Sequence, residues 1–100
     1  LKERYKKNSK KFKNISFFND PKNCKSNNWL NVIQIKKINL KERNDILNLL
    51  NKKHINCRPV WKLMHKLRMY KNSQKSNLSN AIELEKSIIC LPSGAEYGKK

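Results

Sequence analysis

Glycine is almost missing from this 100-residue chain: Gly94 and Gly98, close to the end, are the only two. A glycine-rich loop that cradles phosphates, of either the dinucleotide or the P-loop kind, is therefore excluded. Acidic residues are nearly as scarce, at seven. Asp20, Glu42, Asp45, Glu83, Glu85 and Glu96 fall mostly in loop, cap or helix-surface positions. A pair of carboxylates for general acid–base work is thus poorly supplied. Three cysteines, Cys24, Cys57 and Cys90, make an odd number with no C-x-x-C pair. That is neither a disulfide framework nor a zinc pattern. Their equal spacing of 33 residues is not a repeat, because the flanks KNCKSNNWL, INCRPVWKL and IICLPSGAE share almost nothing. Reduced thiols in a cytoplasmic protein are the expectation. No apolar run approaches the roughly 20 residues that a membrane-spanning helix needs. The chain opens on Leu1 rather than Met, with no apolar core and cleavage site behind it. It reads as the later part of something longer. Its length allows one small domain, burying about 60–70% of the surface its unfolded form exposes.

Positive charge is what the chain has in excess. Twenty-four Lys+Arg stand against seven Asp+Glu, a formal net charge of +17. This invites a nucleic-acid reading, but 20 of the cations are Lys and only 4 are Arg. Phosphate and base recognition favours the bidentate fork of Arg; Lys acts as a point charge. Lys, Asn and Ile together make 44 of the 100 residues, and all three share A/T-rich codons. Codon bias thus accounts for much of the charge with no partner selected. A small Lys-rich nucleic-acid-binding domain stands as the alternative reading, with nucleic acid the less favoured partner.

The pattern along the chain predicts an α+β or α/β layer rather than a helix bundle, and α+β is the expectation adopted. Residues 1–13 read as the end of a helix lacking a cap, and Ile15, Phe17 and Phe18 as a short strand. NDPKNCKSNN (19–28) collects turn formers and reads as a loop. WLNVIQIK (29–36) is a strand with apolar residues on both faces, hence an interior one. Asn39 with Glu42 three residues on predicts a capping box and a Leu-rich helix ending near Lys53. INCR (55–58) is a short strand closed by Pro59. Residues 77–86 predict a second short helix capped by Asn77 or Asn80, and SIICLP (87–92) a strand ended by Pro92. The remaining tail, 95–100, is expected to be loose.

Candidate site residues are few. His54, just after the Leu-rich helix, reads as a solvated or capping residue. No carboxylate sits at metal-ligand spacing from His54 or His65, so no metal site is expected. CRPVWKLMHKLRMY (57–70) is the segment of mixed polarity. Arg58 precedes a proline and is held extended. At helical spacing Trp61, Met64 and His65 would share one face. That face is open to two readings: core packing, or a site wall in which an Arg fork, an aromatic plate and an imidazole suit a sugar or phosphate ligand.

The run RPVWKLMHKLRMY, followed by NLSNAIELE and CLPSG, resembles the C-terminal end of sugar aminotransferases of the DegT/DnrJ/StrS type. Those proteins often carry an RPxWxLMHxLPMY-like element, a short helix with NA at its start, and an LPSS-like strand end. Upstream, SNNWLN is similar to the family's S-N-x-W-L-N strand. The resemblance covers residues 1 to about 94. It implies the small C-terminal domain of a fold-type I enzyme using pyridoxal 5′-phosphate (PLP), homodimeric, with no membrane association. Such enzymes pass an amino group, usually from glutamate, to a nucleotide-linked keto sugar, in amino-sugar biosynthesis for surface polysaccharide; some relatives dehydrate instead. The lysine and aspartate that hold the cofactor belong to the family's large domain, and none of the 20 lysines here sits in the corresponding motif. The chain is thus expected to be inactive alone, as a fragment or the product of a broken gene. The resemblance places Arg58, Trp61 and His65 near the sugar-binding side. Arg68 stands where the family usually has Pro, and Gly94 where it often has Ser, which points to a diverged copy.

Overall fold

The computed structural model describes residues 1–99. Its elements run α1 (Lys2–Ser9), β1 (Ile15–Phe17), β2 (Asn31–Ile35), α2 (Leu40–Lys52), β3 (Arg58–Pro59), α3 (Ser79–Ser87) and β4 (Ile88–Leu91). This is the α+β order that the sequence pattern predicts. The four strands form one antiparallel sheet in the order β1-β2-β4-β3. Strand β2 is interior, as its two apolar faces require.

Register decides which side chains share a face. Ile15 pairs with Ile35, Phe17 with Ile33, and Ile33 with Ile89. These isoleucines lie on one face, where Ile46, Leu47 and Leu50 of α2 close over them. The centre of this cluster is Ile89, with 0% of its surface exposed, beside Ile35, Ile38, Leu47 and Cys57. Burial pushes the Cys57 thiol up from its ordinary value, and the neighbouring Cys90 adds to it.

Helix α2 is fixed at both ends by its own sequence. The Glu42 amide donates to Asn39 Oδ1 at 2.8 Å and the Asn39 amide donates to Glu42 Oε2 at 3.0 Å, the expected capping box. At the other end His54 takes φ 60°. Its amide donates to the Asn51 carbonyl, and the Ile55 amide to Leu50. That is a Schellman motif with histidine where glycine is usual. His54 is thus an exposed terminator of the helix. Asn51 then donates to both Leu47 O and Cys57 O, tying the helix end to the approach of β3.

Several boundaries differ from the sequence reading. Strand β2 begins at Asn31, so Trp29 and Leu30 lie outside it. Strand β3 is Arg58–Pro59, later than expected, and includes the proline. As an edge strand it loses no needed amide there. Helix α3 starts after Leu78; the Asn77 side chain accepts from the Ser79 amide, but neither Asn77 nor Asn80 is the cap residue. The segment 61–70 is not one helix. It makes two single 3₁₀ turns, Met64–Lys66 and Arg68–Tyr70, separated by an extended Leu67. In the tail, Ala95–Gly98 form a third such turn, with the Tyr97 carbonyl accepting from Arg4. Among the described residues no helix is long and apolar enough to cross a membrane.

Candidate functional site

Away from the α2 cluster, a cleft of about 810 Å³ opens between the segment before β2, the β3–Lys62 segment and the end of β4. Arg58 enters it from β3, where it pairs with Cys90 in register. Its extended backbone, set by Pro59, agrees with the sequence expectation. Trp61 stands three residues after Arg58, with 66% of its surface exposed. Trp29, equally exposed, lies against it, with ring centroids 6.2 Å apart and planes inclined at 45°. Such a tilted aromatic pair is an attractive geometry.

Each wall is held by side-chain hydrogen bonds. In the loop before β2, Lys2 is paired with Asp20 at 2.7 Å, and Asp20 also accepts from the Ser26 amide. These contacts hold the Asp20 carboxyl below its ordinary range, the Lys2 hydrogen bond most of all. Ser26 Oγ in turn accepts from the Asn28 amide, and Asn27 Oδ1 from the Trp29 amide. Local polar side chains thus hold the backbone in turns up to Trp29, in place of a strand ladder. On the other wall, Glu85 of α3 accepts from the Leu63 amide at 3.2 Å and from Lys66 at 2.8 Å, pinning the chain just past Trp61. The Lys66 hydrogen bond is the main reason the Glu85 carboxyl lies below its usual range.

The floor links two of the motifs. Asn31 is buried, and its amide and side-chain nitrogen both donate to Ser93 Oγ, at 3.3 and 3.1 Å. Ser93 Oγ donates on to Leu91 O, and the Tyr5 hydroxyl to Pro92 O at 2.8 Å. The W-L-N and L-P-S segments, 62 residues apart in sequence, therefore close on one another. At Gly94 a side chain would run into the Glu96 carboxylate.

The structure brings Arg58 and Trp61 together but not His65. Trp61 lies outside the turn that carries His65, so the shared helical face does not form. Half-buried, His65 lines a second hollow of about 350 Å³ with Met64, Tyr70 and Leu78. The sequence reading missed Trp29 as a cleft residue, because apolar alternation extends the strand through it. The Ser26-Asn27-Asn28 cluster directly before it was the available signal for a turn.

Two solved structures are similar to this fold, both of a sugar aminotransferase from Streptococcus pneumoniae, one in the PMP form and one in the PLP form. Their TM-scores are 0.77 and 0.76 at 21% identity, over 95% of this chain. The chain spans about a quarter of the length of those proteins, 25% in each case. The sequence profile of the DegT/DnrJ/EryC1/StrS aminotransferase family matches residues 1–100. The chain belongs to that aminotransferase family.

Proposed function

We propose that this chain is the small C-terminal domain of a PLP-dependent sugar aminotransferase, and that its cleft forms one wall of the substrate site. The observation that carries this is the meeting of Arg58 and Trp61, both from the family-like RPxW element, in one open cleft. Under this reading the substrate is a nucleotide-linked keto sugar, the amino donor glutamate, and the working enzyme a cytoplasmic homodimer serving surface-polysaccharide synthesis. Arg58 supplies charge-assisted hydrogen bonds to the anionic part of the substrate, and Trp61 an apolar plate beside it. His65 contributes from the second hollow as a more remote contact.

The residues of this chain do not fit as the anchor of a pyridoxal group. A lysine that takes up a carbonyl needs its amine desolvated or its charge otherwise suppressed. No described lysine is buried, and Lys62, the one beside the cleft, is exposed. The amino-transfer chemistry is the cofactor's, and the protein supplies orientation and charge. This chain's share is binding and orientation of the sugar substrate, with the cofactor lysine in the large domain.

The test is kinetic, in the enzyme that carries this domain. Arg58→Gln lowers kcat/KM for the sugar substrate about ten- to a hundredfold, the worth of a charge-assisted contact. His65→Gln lowers it less, and cofactor absorbance stays normal in both. Unchanged kcat/KM in both variants refutes the assignment of this wall.

A further inference from the structure

We propose that Glu85 is a positioning residue for this wall: its single carboxylate, reaching out from α3, sets where both Trp61 and His65 stand. The inference rests on the proposed function and adds to it the group that places the substrate contacts.

The stretch 61–76, between β3 and α3, carries both Trp61 and His65 and forms only the two 3₁₀ turns. None of its residues is buried. Its backbone hydrogen bonds, such as Lys66 to Leu63 and Tyr70 to Leu67, close within the stretch itself. Beyond the ring contact with Trp29, it has two hydrogen bonds to the rest of the described residues, and both end on Glu85. The Leu63 amide donates to Oε2 at 3.2 Å and the Lys66 ammonium to Oε1 at 2.8 Å. Leu63 lies two residues after Trp61 and two before His65. At about 3.8 Å per residue, the Cα of each stays within about 8 Å of that anchored point. With one oxygen on Leu63 and the other on Lys66, the carboxylate spans the Met64–Lys66 turn and holds its orientation as well as its place.

Glu85 is itself firmly seated. Its side chain is only 11% exposed, a costly place for a carboxylate unless both oxygens are paired, as they are. Its backbone carbonyl accepts from Arg43 Nη1 at 2.6 Å, which ties it to α2. Helix α3 runs directly into β4, whose Ile89 is the centre of the core. The wall is thus hung from the rigid part of the fold through one side chain, and a rigid support is what precise placement needs. A displacement of about 1 Å at a substrate contact is enough to cost about a hundredfold in rate.

The test uses three variants of the enzyme that carries this chain. Glu85→Leu removes both acceptor oxygens. Glu85→Gln keeps an oxygen for the Leu63 amide and loses the charge. Lys66→Met breaks only the ion pair, at an exposed side chain. KM for the proposed sugar substrate rises about ten- to a hundredfold in Glu85→Leu with kcat nearly unchanged, because binding groups have lost their placement. It rises about two- to tenfold in Glu85→Gln and in Lys66→Met. Amide hydrogen exchange in the peptide spanning 61–70 speeds up about tenfold or more in Glu85→Leu, while exchange in β4 keeps its parent rate. A normal KM in Glu85→Leu, with Arg58→Gln still lowering kcat/KM, overturns this inference and leaves the proposed function standing. Exchange that rises in β4 as much as in 61–70 overturns it too, since that marks a purely structural residue. Should Glu85→Leu not fold, Lys66→Met decides, and a normal KM with unchanged exchange there overturns the inference. If neither Arg58→Gln nor His65→Gln moves kcat/KM, the proposed function fails and this inference falls with it.

Discussion

Two regions of this small domain use large apolar side chains in opposite ways. Under α2, Ile89, Ile35 and Leu47 are closed off from water and packed on one another. At the cleft, Trp29 and Trp61 keep two-thirds of their surface open, although tryptophan is the largest apolar payload a chain can bury. The walls at the cleft are fixed by polar contacts instead: Asp20 through Ser26 and Asn27 on one side, Glu85 on the other. The first region creates stability by removing surface from water. The second uses polar contacts to hold exposed rings in place, as the proposed substrate wall requires. The contrast implies that substitutions in the two regions separate stability from binding.

The largest stability effect belongs to the α2 cluster. Ile89→Ala, at a fully buried position, loses about 2–5 kcal/mol in urea unfolding. In a domain this small that is a large part of the total. Little loss there would mean the isoleucine cluster is not the core.

Next is Arg43, a buried cation of α2 whose Nη1 donates to the Glu85 carbonyl at 2.6 Å and whose fork also meets Asn44 Oδ1. It links the helix that covers the core to the helix that holds the cleft wall. Arg43→Ala leaves that carbonyl without its charged donor and costs about 1.5–3 kcal/mol in the same measurement. It also loosens the Trp61 wall, so kcat/KM for the proposed sugar substrate, in the enzyme that carries this chain, falls along with stability. A stability loss with unchanged kcat/KM would show the two regions to be uncoupled at this point.

Much of the fold was legible in the sequence, and what was not has a physical reason. The element order, the Asn39–Glu42 capping box and the interior position of β2 all follow from local patterns, and the structure has them. Trp29 was not legible as a cleft residue, because alternation does not register side-chain bonds from Ser26 and Asn27 that hold turns. Helical spacing failed for Trp61 and His65 for a second reason. Leu63 and Leu67 both take extended ψ angles, 139° and 138°. The i, i+4 rule holds only along an unbroken helix. The extended backbone at Arg58 was legible because proline acts on its immediate neighbour, whatever the rest of the fold does.

The smallest effect is a pH dependence at the cleft wall. The Lys66 hydrogen bond holds the folded Glu85 carboxyl below its ordinary value of 4.5. The folded state therefore binds fewer protons there than the unfolded state. The resulting stability is present above the ordinary value and is lost as pH falls through the lowered folded value. Urea midpoints measured downward from pH 5 decline, and Glu85→Gln flattens that part of the decline. An unchanged acid slope in Glu85→Gln would remove Glu85 from the account of the wall.

Trp61 separates the proposed ligand-binding role of the cleft from a purely structural one. The deciding measurement is the unfolding midpoint and kcat/KM for the proposed nucleotide-linked sugar, taken on Trp61→Ala in the enzyme that carries this chain. An exposed ring that serves a site gives a stability loss of about 1 kcal/mol or less together with at least a tenfold fall in kcat/KM. A loss of about 3–5 kcal/mol with normal kinetics of the folded enzyme is the signature of a core residue, and would refute the proposed substrate wall.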